Sequence, residues 1–273
     1  MQKITLPETF TPQHQDILKR YLQDDRSLST DEWQLLYTGI DILGTARINI
    51  DGTFTTFRQV YERHIDARWA TPYLDRLLAL TDIADESPAL IAEFARRIAP
   101  YLEQTGLLLP DQALSWLLYV YCVYWWQAFA RGYAFEVQIV RDMQASGLTL
   151  HYHDLLDPVE RHSVADVLVL DMMGDIKTST YFLQWAASHQ LSNDFYVTRL
   201  WDGKRSYVLV VFQQPSAWKK INGGTVKGRL NTLLTLLPRP VELRQGHFTL
   251  IVVEYTEWKR RILRAQKERK QYE

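Results

Sequence analysis

The stretch of sequence that decides the fold occupies residues 164–179 and reads VADVLVLDMMGDIKTS. Apart from Asp166, residues 165–170 are apolar or β-branched on both faces, which predicts a central strand covered on both sides. Residues 171–174 predict a turn, after which Asp175-Ile176-Lys177 resumes as a second strand. We therefore expect a strand, a turn and a strand at the centre of this part of the chain.

The elements around this stretch alternate between helix and strand. Apolar residues at helical spacing predict a helix before it and a helix after it, at residues 133–145 and 181–188. Apolar and β-branched runs predict four further strands, at residues 148–153, 195–200, 206–212 and 248–254. This order indicates an α/β or α+β domain over residues 131–255. A basic helix or tail is expected at residues 256–273.

Residues 1–130 are predicted to form a separate helical domain. Ser29 and Glu32 have the spacing of a helix-capping box, and apolar residues at helical spacing follow Pro72 and Pro88, which we expect at helix starts. Residues 112–130 contain no charge, but their Tyr and Trp residues are scattered through the middle instead of forming two interfacial belts. A helix buried within the protein is therefore favoured over a membrane span.

Composition and charge narrow the function classes. A hydrophobic content of 47% and a charged content of 23% exclude a disordered chain. The lone cysteine, Cys122, excludes an internal disulfide, and the N-terminus lacks the apolar core of a signal peptide, so we expect a cytoplasmic protein. Residues 1–130 carry 11 basic and 17 acidic side chains, whereas residues 131–273 carry 20 and 15. A polyanion would prefer the second half, although so modest a difference also arises by chance.

Three residues of the deciding stretch suit metal-assisted phosphodiester hydrolysis. This chemistry uses oxygen ligands that hold a divalent cation near the scissile phosphate, and a cationic group near the attacking water. Asp175 and Lys177 are two positions apart on one strand, so their side chains leave the same face, and Asp166 begins the preceding strand. If the strands form a hairpin, we expect Asp166 towards one end and Asp175 towards the other, so convergence depends on register and twist.

These residues resemble the signature of the PD-(D/E)XK, or restriction-endonuclease-like, nuclease superfamily. Asp166, eight intervening residues and Asp175-Ile176-Lys177 are similar to its (P)D…(D/E)XK motif, with Ala165 in place of the proline. The resemblance implies a restriction-endonuclease-like mixed β-sheet core flanked by helices, and a Mg²⁺ or Mn²⁺ ion bound by Asp166, Asp175 and the Ile176 carbonyl. It also implies that Lys177 orients or activates the attacking water.

The resemblance further implies an endonuclease that acts on DNA, and it maps an acidic metal ligand from the preceding helix onto Glu136. Basic residues around Gly223-Gly224 predict contacts with DNA phosphates. These residues are Lys219, Lys220, Lys227 and Arg229. The helical domain would position the substrate or recruit a protein partner, and a homo-oligomer is compatible with the sequence.

Other interpretations of the sequence stay open. The chain could be a non-catalytic nucleic-acid-binding or scaffolding protein that keeps the nuclease fold, or a helical interaction protein that presents Trp116–Trp126 to a partner. Asp166 and Asp175 could end a strand and form a turn, Lys177 could be an edge-strand charge, and Glu136 could lie on a solvated helix face.

Residues 151–154 offer a different metal site. His151, His153 and Asp154 form an HxHD cluster, and its histidines would share one face of a strand, as a Zn²⁺ site requires. No cysteine pair or second histidine pair supports this zinc site, so we do not favour it.

Overall fold

The computed structural model describes residues 3–23, 28–50, 52–108, 113–179, 191–201, 205–214, 241–245 and 248–272. These residues form two compact units, residues 1–131 and 132–273. The predicted class of mixed helices and sheet is confirmed. No helix within the described ranges is both long and apolar enough to cross a membrane.

The first unit combines helices with a small antiparallel sheet in the order β1-β2-β3. The strands are β1 (Lys3–Thr5), β2 (Arg47–Ile50) and β3 (Thr53–Thr56). The helices are α1 (Pro12–Gln23), α2 (Thr30–Leu43), α3 (Phe57–Val60), which continues through a π-helical turn (Tyr61–Asp66) into α4 (Ala67–Ala79), α5 (Ile83–Ala95) and α6 (Ile98–Gln104). The long helix α7 (Ser115–Ala145) begins in this unit.

Capping side chains set the helix starts. The capping box of Ser29 and Glu32 is confirmed at the start of α2. The prediction that Pro72 and Pro88 begin helices is wrong, because Pro72 lies inside α4 and Pro88 inside α5. The start of α5 is set instead by Asp82, whose side chain accepts a hydrogen bond from the Asp85 backbone N–H.

The aromatic run of α7 packs inside the first unit. Trp126 has no exposed surface, and its ring lies within 5.2–6.3 Å of four other aromatic rings. These belong to Trp69, Tyr73, Phe94 and Phe129. Trp126 thus belongs to the core of the unit, and the presentation of Trp116–Trp126 to a partner stays a prediction.

Cys122 lies in the same buried stretch of α7. Its side chain is fully buried, and burial raises the pKa of the thiol far above its usual range. Because the thiolate is the reactive form, we expect iodoacetamide at pH 8 to leave the native chain unmodified and to alkylate it completely in denaturant. Mass spectrometry measures the mass added by alkylation in the native and in the denatured chain. Rapid alkylation of the folded protein would contradict the buried position.

The second unit is built on a seven-stranded sheet in the order β4-β5-β6-β7-β8-β10-β9. The strands are β4 (His151–Tyr152), β5 (Val167–Val169), β6 (Met172–Lys177), β7 (Phe195–Trp201), β8 (Ser206–Gln214), β9 (Val241–Gln245) and β10 (Phe248–Glu254). Strands β6 and β7 are parallel, and every other neighbouring pair is antiparallel. The strands predicted at 195–200, 206–212 and 248–254 are confirmed, whereas β9 was not predicted. The helix predicted at residues 181–188 lies outside the described residues.

Helices cover one face of this sheet. Helix α7 runs without interruption through Gly132, so the break expected between a helix at 112–130 and a helix at 133–145 is wrong. Its second half packs Phe135, Ile139 and Met143 against the sheet, and the last helix, α8 (Tyr255–Tyr272), adds residues from the other end of the chain. Residues 256–272 therefore form a helix that packs on the sheet, not a detached tail.

Helix α8 joins the core through one of its faces. Trp258 and Ile262 are fully buried, and the Gln266 amide exchanges two hydrogen bonds with the backbone of Thr149. The spacing of these three residues places them on one side of the helix. The residues near its C-terminus, Lys267–Lys270, are exposed.

Candidate metal centre

A two-residue turn sets the geometry of the site. Leu170 and Asp171 have positive φ angles of 50° and 62°, as a type I′ hairpin turn requires. The register pairs Val169 with Met172 and Val167 with Gly174, and just beyond this last pair the Asp166 backbone N–H donates to the Gly174 carbonyl at 2.9 Å. The expectation that the two aspartates lie towards opposite ends of the hairpin is therefore wrong. Each lies four positions from the turn, so both reach the same end.

Asp175 and Lys177 leave the same face of β6. Lys177 Nζ donates to Asp175 Oδ1 at 2.6 Å, and the Asp175 side chain is largely buried. Burial alone would lower the pKa of Lys177, but attraction to Asp175, Asp166 and Glu136 outweighs it and raises that pKa. The lysine is therefore a positive charge held beside a carboxylate, not a neutral amine.

A second cluster of ligand atoms adjoins this pair. Glu136 on α7, His153 just after β4 and Asp166 just before β5 each offer one atom, and these three atoms lie within 4.8 Å of one another. Glu136 and His153 are each 6% exposed. Glu136 therefore does not lie on a solvated helix face, because its carboxylate turns to His153 and to Tyr152, whose hydroxyl donates to Oε1 at 3.1 Å.

Among the carboxyl groups of the site, Asp166 has a strongly raised pKa. Burial, repulsion from Glu136 and Asp175 and a hydrogen bond with the Asp175 carboxyl raise the pKa of Asp166 far above the usual range of an aspartate. A hydrogen bond from the Ile176 backbone N–H to Asp166 Oδ2, at 2.6 Å, opposes this shift without cancelling it. Three neighbouring carboxyl groups are costly to keep ionised in a buried place unless a cation is bound.

The predicted site residues have different outcomes. The structure brings Glu136, Asp166, Asp175 and Lys177 to one end of the β5–β6 hairpin. Ile176 contributes its N–H to Asp166, and the use of its carbonyl as a metal ligand stays a prediction. The predicted DNA contacts lie outside the described residues. They are Lys219, Lys220, Lys227 and Arg229.

His153 was considered in the sequence only as part of the HxHD cluster. In the described part of the chain, His153 groups with Glu136 and Asp166, whereas His151 and Asp154 are exposed and do not join them. No local spacing reveals this, because Glu136 and Asp166 lie 17 and 13 positions away. The arrangement provides two carboxylates and an imidazole for a divalent cation, with an ammonium–carboxylate pair next to them.

Comparisons of the chain with protein-family models, with curated proteins and with solved structures give no match.

Proposed function

We propose that the chain is a metal-dependent nuclease that hydrolyses DNA phosphodiester bonds, with a restriction-endonuclease-like core in its second unit. The observation that carries the proposal is the meeting of two acidic residues and a lysine at one end of the β5–β6 hairpin, where Lys177 donates to Asp175 and the carboxyl groups of Asp166 and Asp175 share a hydrogen bond. Metal-assisted phosphodiester hydrolysis can use this set of groups, because the carboxylates hold the cation and the ammonium group provides a positive charge near the attacking water.

Each residue has a definite role in this proposal. Asp166, Asp175 and Glu136 would hold Mg²⁺ or Mn²⁺, and the ion would neutralise charge at the scissile phosphate and make the attacking water more acidic. Lys177, which stays protonated because its pKa is raised, orients that water and stabilises the negative charge that develops on the phosphate. An endonucleolytic action on DNA and a substrate-positioning or partner-binding role for the first unit complete the proposal.

Plasmid cleavage tests the proposal. Supercoiled plasmid and single-stranded DNA are incubated with the native chain, Asp175→Ala or Lys177→Ala in Mg²⁺, Mn²⁺ or EDTA, and the products are separated on a gel. We expect cutting by the native chain with either cation, none in EDTA, and a rate at least about 100-fold lower in both variants, because each loses a group that acts on the reacting atoms.

Asp171→Asn is the matched control. It removes one carboxylate from the same hairpin, at an exposed position next to Arg269, and asparagine tolerates a positive φ. We expect its cleavage rate to equal that of the native chain. Absence of cutting, or cutting that survives both site substitutions, would overturn the nuclease proposal, and DNA binding without cutting would favour the non-catalytic alternative.

A further inference from the structure

The hydrogen bonds around His153 occupy one ring nitrogen, Nδ1, and leave the other, Nε2, able to bind a metal ion. The Ser163 hydroxyl donates its only hydrogen to the Ala165 carbonyl at 2.7 Å. Its oxygen lies 3.0 Å from His153 Nδ1, so Nδ1 must be the donor in this contact. With Nδ1 as the donor, Nε2 offers a lone pair once the proton that it shares with Glu136 is released, and this nitrogen faces Glu136 Oε1. A histidine whose other nitrogen is held by a hydrogen bond in this way is the usual arrangement of a metal ligand.

The spacing of the facing atoms suits two ligands of one ion. His153 Nε2 lies 2.8 Å from Glu136 Oε1, and Asp166 offers an oxygen within 4.8 Å of both. Neighbouring ligands of an octahedral ion with bonds of about 2.1 Å are about 3 Å apart. A cation could thus replace the proton between His153 and Glu136 with little movement of either side chain.

We propose that His153 Nε2, Glu136 and Asp166 bind a divalent first-row transition-metal ion, of which Mn²⁺ is the probe, in preference to Mg²⁺. Imidazole nitrogen is a good ligand for transition metals, whereas Mg²⁺ is bound in proteins almost wholly by oxygen. A site made only of the carboxylates would lack this selectivity. The inference rests on the proposed function in one respect: the use of this ion in hydrolysis belongs to that proposal, whereas the binding of the ion does not depend on it.

The test measures binding of the metal alone, without DNA. Titration calorimetry compares Mn²⁺ with Mg²⁺, and pulsed electron paramagnetic resonance of bound Mn²⁺ detects nitrogen-14 in its coordination sphere. We expect the native chain to bind Mn²⁺ at least about tenfold more tightly than Mg²⁺ and to show the nitrogen signal. His153→Gln is expected to lose the signal and most of the preference for Mn²⁺.

Two further variants separate ligation from folding. Ser163→Ala removes the hydrogen-bond partner of Nδ1 without touching the metal, and we expect roughly tenfold weaker Mn²⁺ binding with the nitrogen signal retained. His151→Gln alters an exposed histidine two positions away and is expected to change neither quantity. If His153→Gln fails to fold, the nitrogen signal of the native chain and of His151→Gln decides the question.

The outcomes distinguish this inference from the proposed function. Bound Mn²⁺ without a nitrogen signal, equal affinities for the two ions, or a signal that persists in His153→Gln would overturn the role of His153, even if plasmid is cut. A nitrogen signal that depends on His153 would uphold it, even if plasmid stays intact and the nuclease proposal fails.

Discussion

Replacing Gly174 by alanine is expected to destabilise the second unit by about 3 kcal/mol. A Cβ atom at this position would lie 2.1 Å from Cζ and 2.3 Å from Cε2 of Phe195, its partner in the register of β6 and β7. Such distances are far shorter than any van der Waals contact. The ring or the strand must therefore move.

Phe195 has little freedom to move. It has no exposed surface, and its ring centroid lies 5.2 Å from that of Trp258 and 6.3 Å from that of Phe212. Interiors packed at this density respond to an added methyl group with strained rotamers or a shifted backbone. The glycine is therefore required because the phenylalanine ring crosses over its backbone.

Urea unfolding followed by circular dichroism measures this effect. Gly132→Ala is the matched control, because nothing lies within 4 Å of its Cβ and alanine favours a helix interior, so its unfolding free energy should rise by up to about 1 kcal/mol. The double variant Gly174→Ala/Phe195→Leu should lose less than the sum of the two single losses. Equal stability of Gly174→Ala and the native chain would refute the close contact.

Asp166→Asn is expected to stabilise the metal-free protein at neutral and alkaline pH, by on the order of 2 kcal/mol. The pKa of Asp166 is raised in the folded chain by burial and by repulsion from Glu136 and Asp175. The unfolded chain therefore releases this proton at lower pH than the folded chain does. Between the two pKa values, the free energy of unfolding falls as pH rises, and asparagine escapes this loss because it does not titrate.

The pH dependence makes this prediction specific. Unfolding in EDTA from about pH 2.5 to about pH 9 should show the free energies of unfolding of the two proteins converging below about pH 3, where the aspartate is mostly protonated in both states, and separating as pH increases. Asp171→Asn, which removes a charge from the exposed turn, should follow the native curve. A constant difference at all pH values would mean that packing or a lost hydrogen bond, and not ionisation, separates Asp166→Asn from the native chain.

The sequence predicted those features that depend on local chemistry. The capping box of Ser29 and Glu32 is confirmed because its hydrogen bonds join residues within a single turn. The predicted strands β7, β8 and β10 are confirmed because β-branched and apolar runs favour a buried strand. Helix starts at Pro72 and Pro88 were wrong, because proline is tolerated inside a helix when surrounding contacts outweigh one lost hydrogen bond.

The sequence by itself determined which groups could do chemistry: Asp166, Asp175 and Lys177 stand out because charges in an apolar strand pair are costly without a role. Only the tertiary structure decided that they meet, because the two-residue turn at Leu170–Asp171 sets a register that no composition reveals. The tertiary structure also added His153 to the site, because the packing of α7 against the sheet places Glu136 beside this histidine. Contacts between residues far apart in sequence depend on the closure of the whole unit, and for that reason local patterns did not predict them.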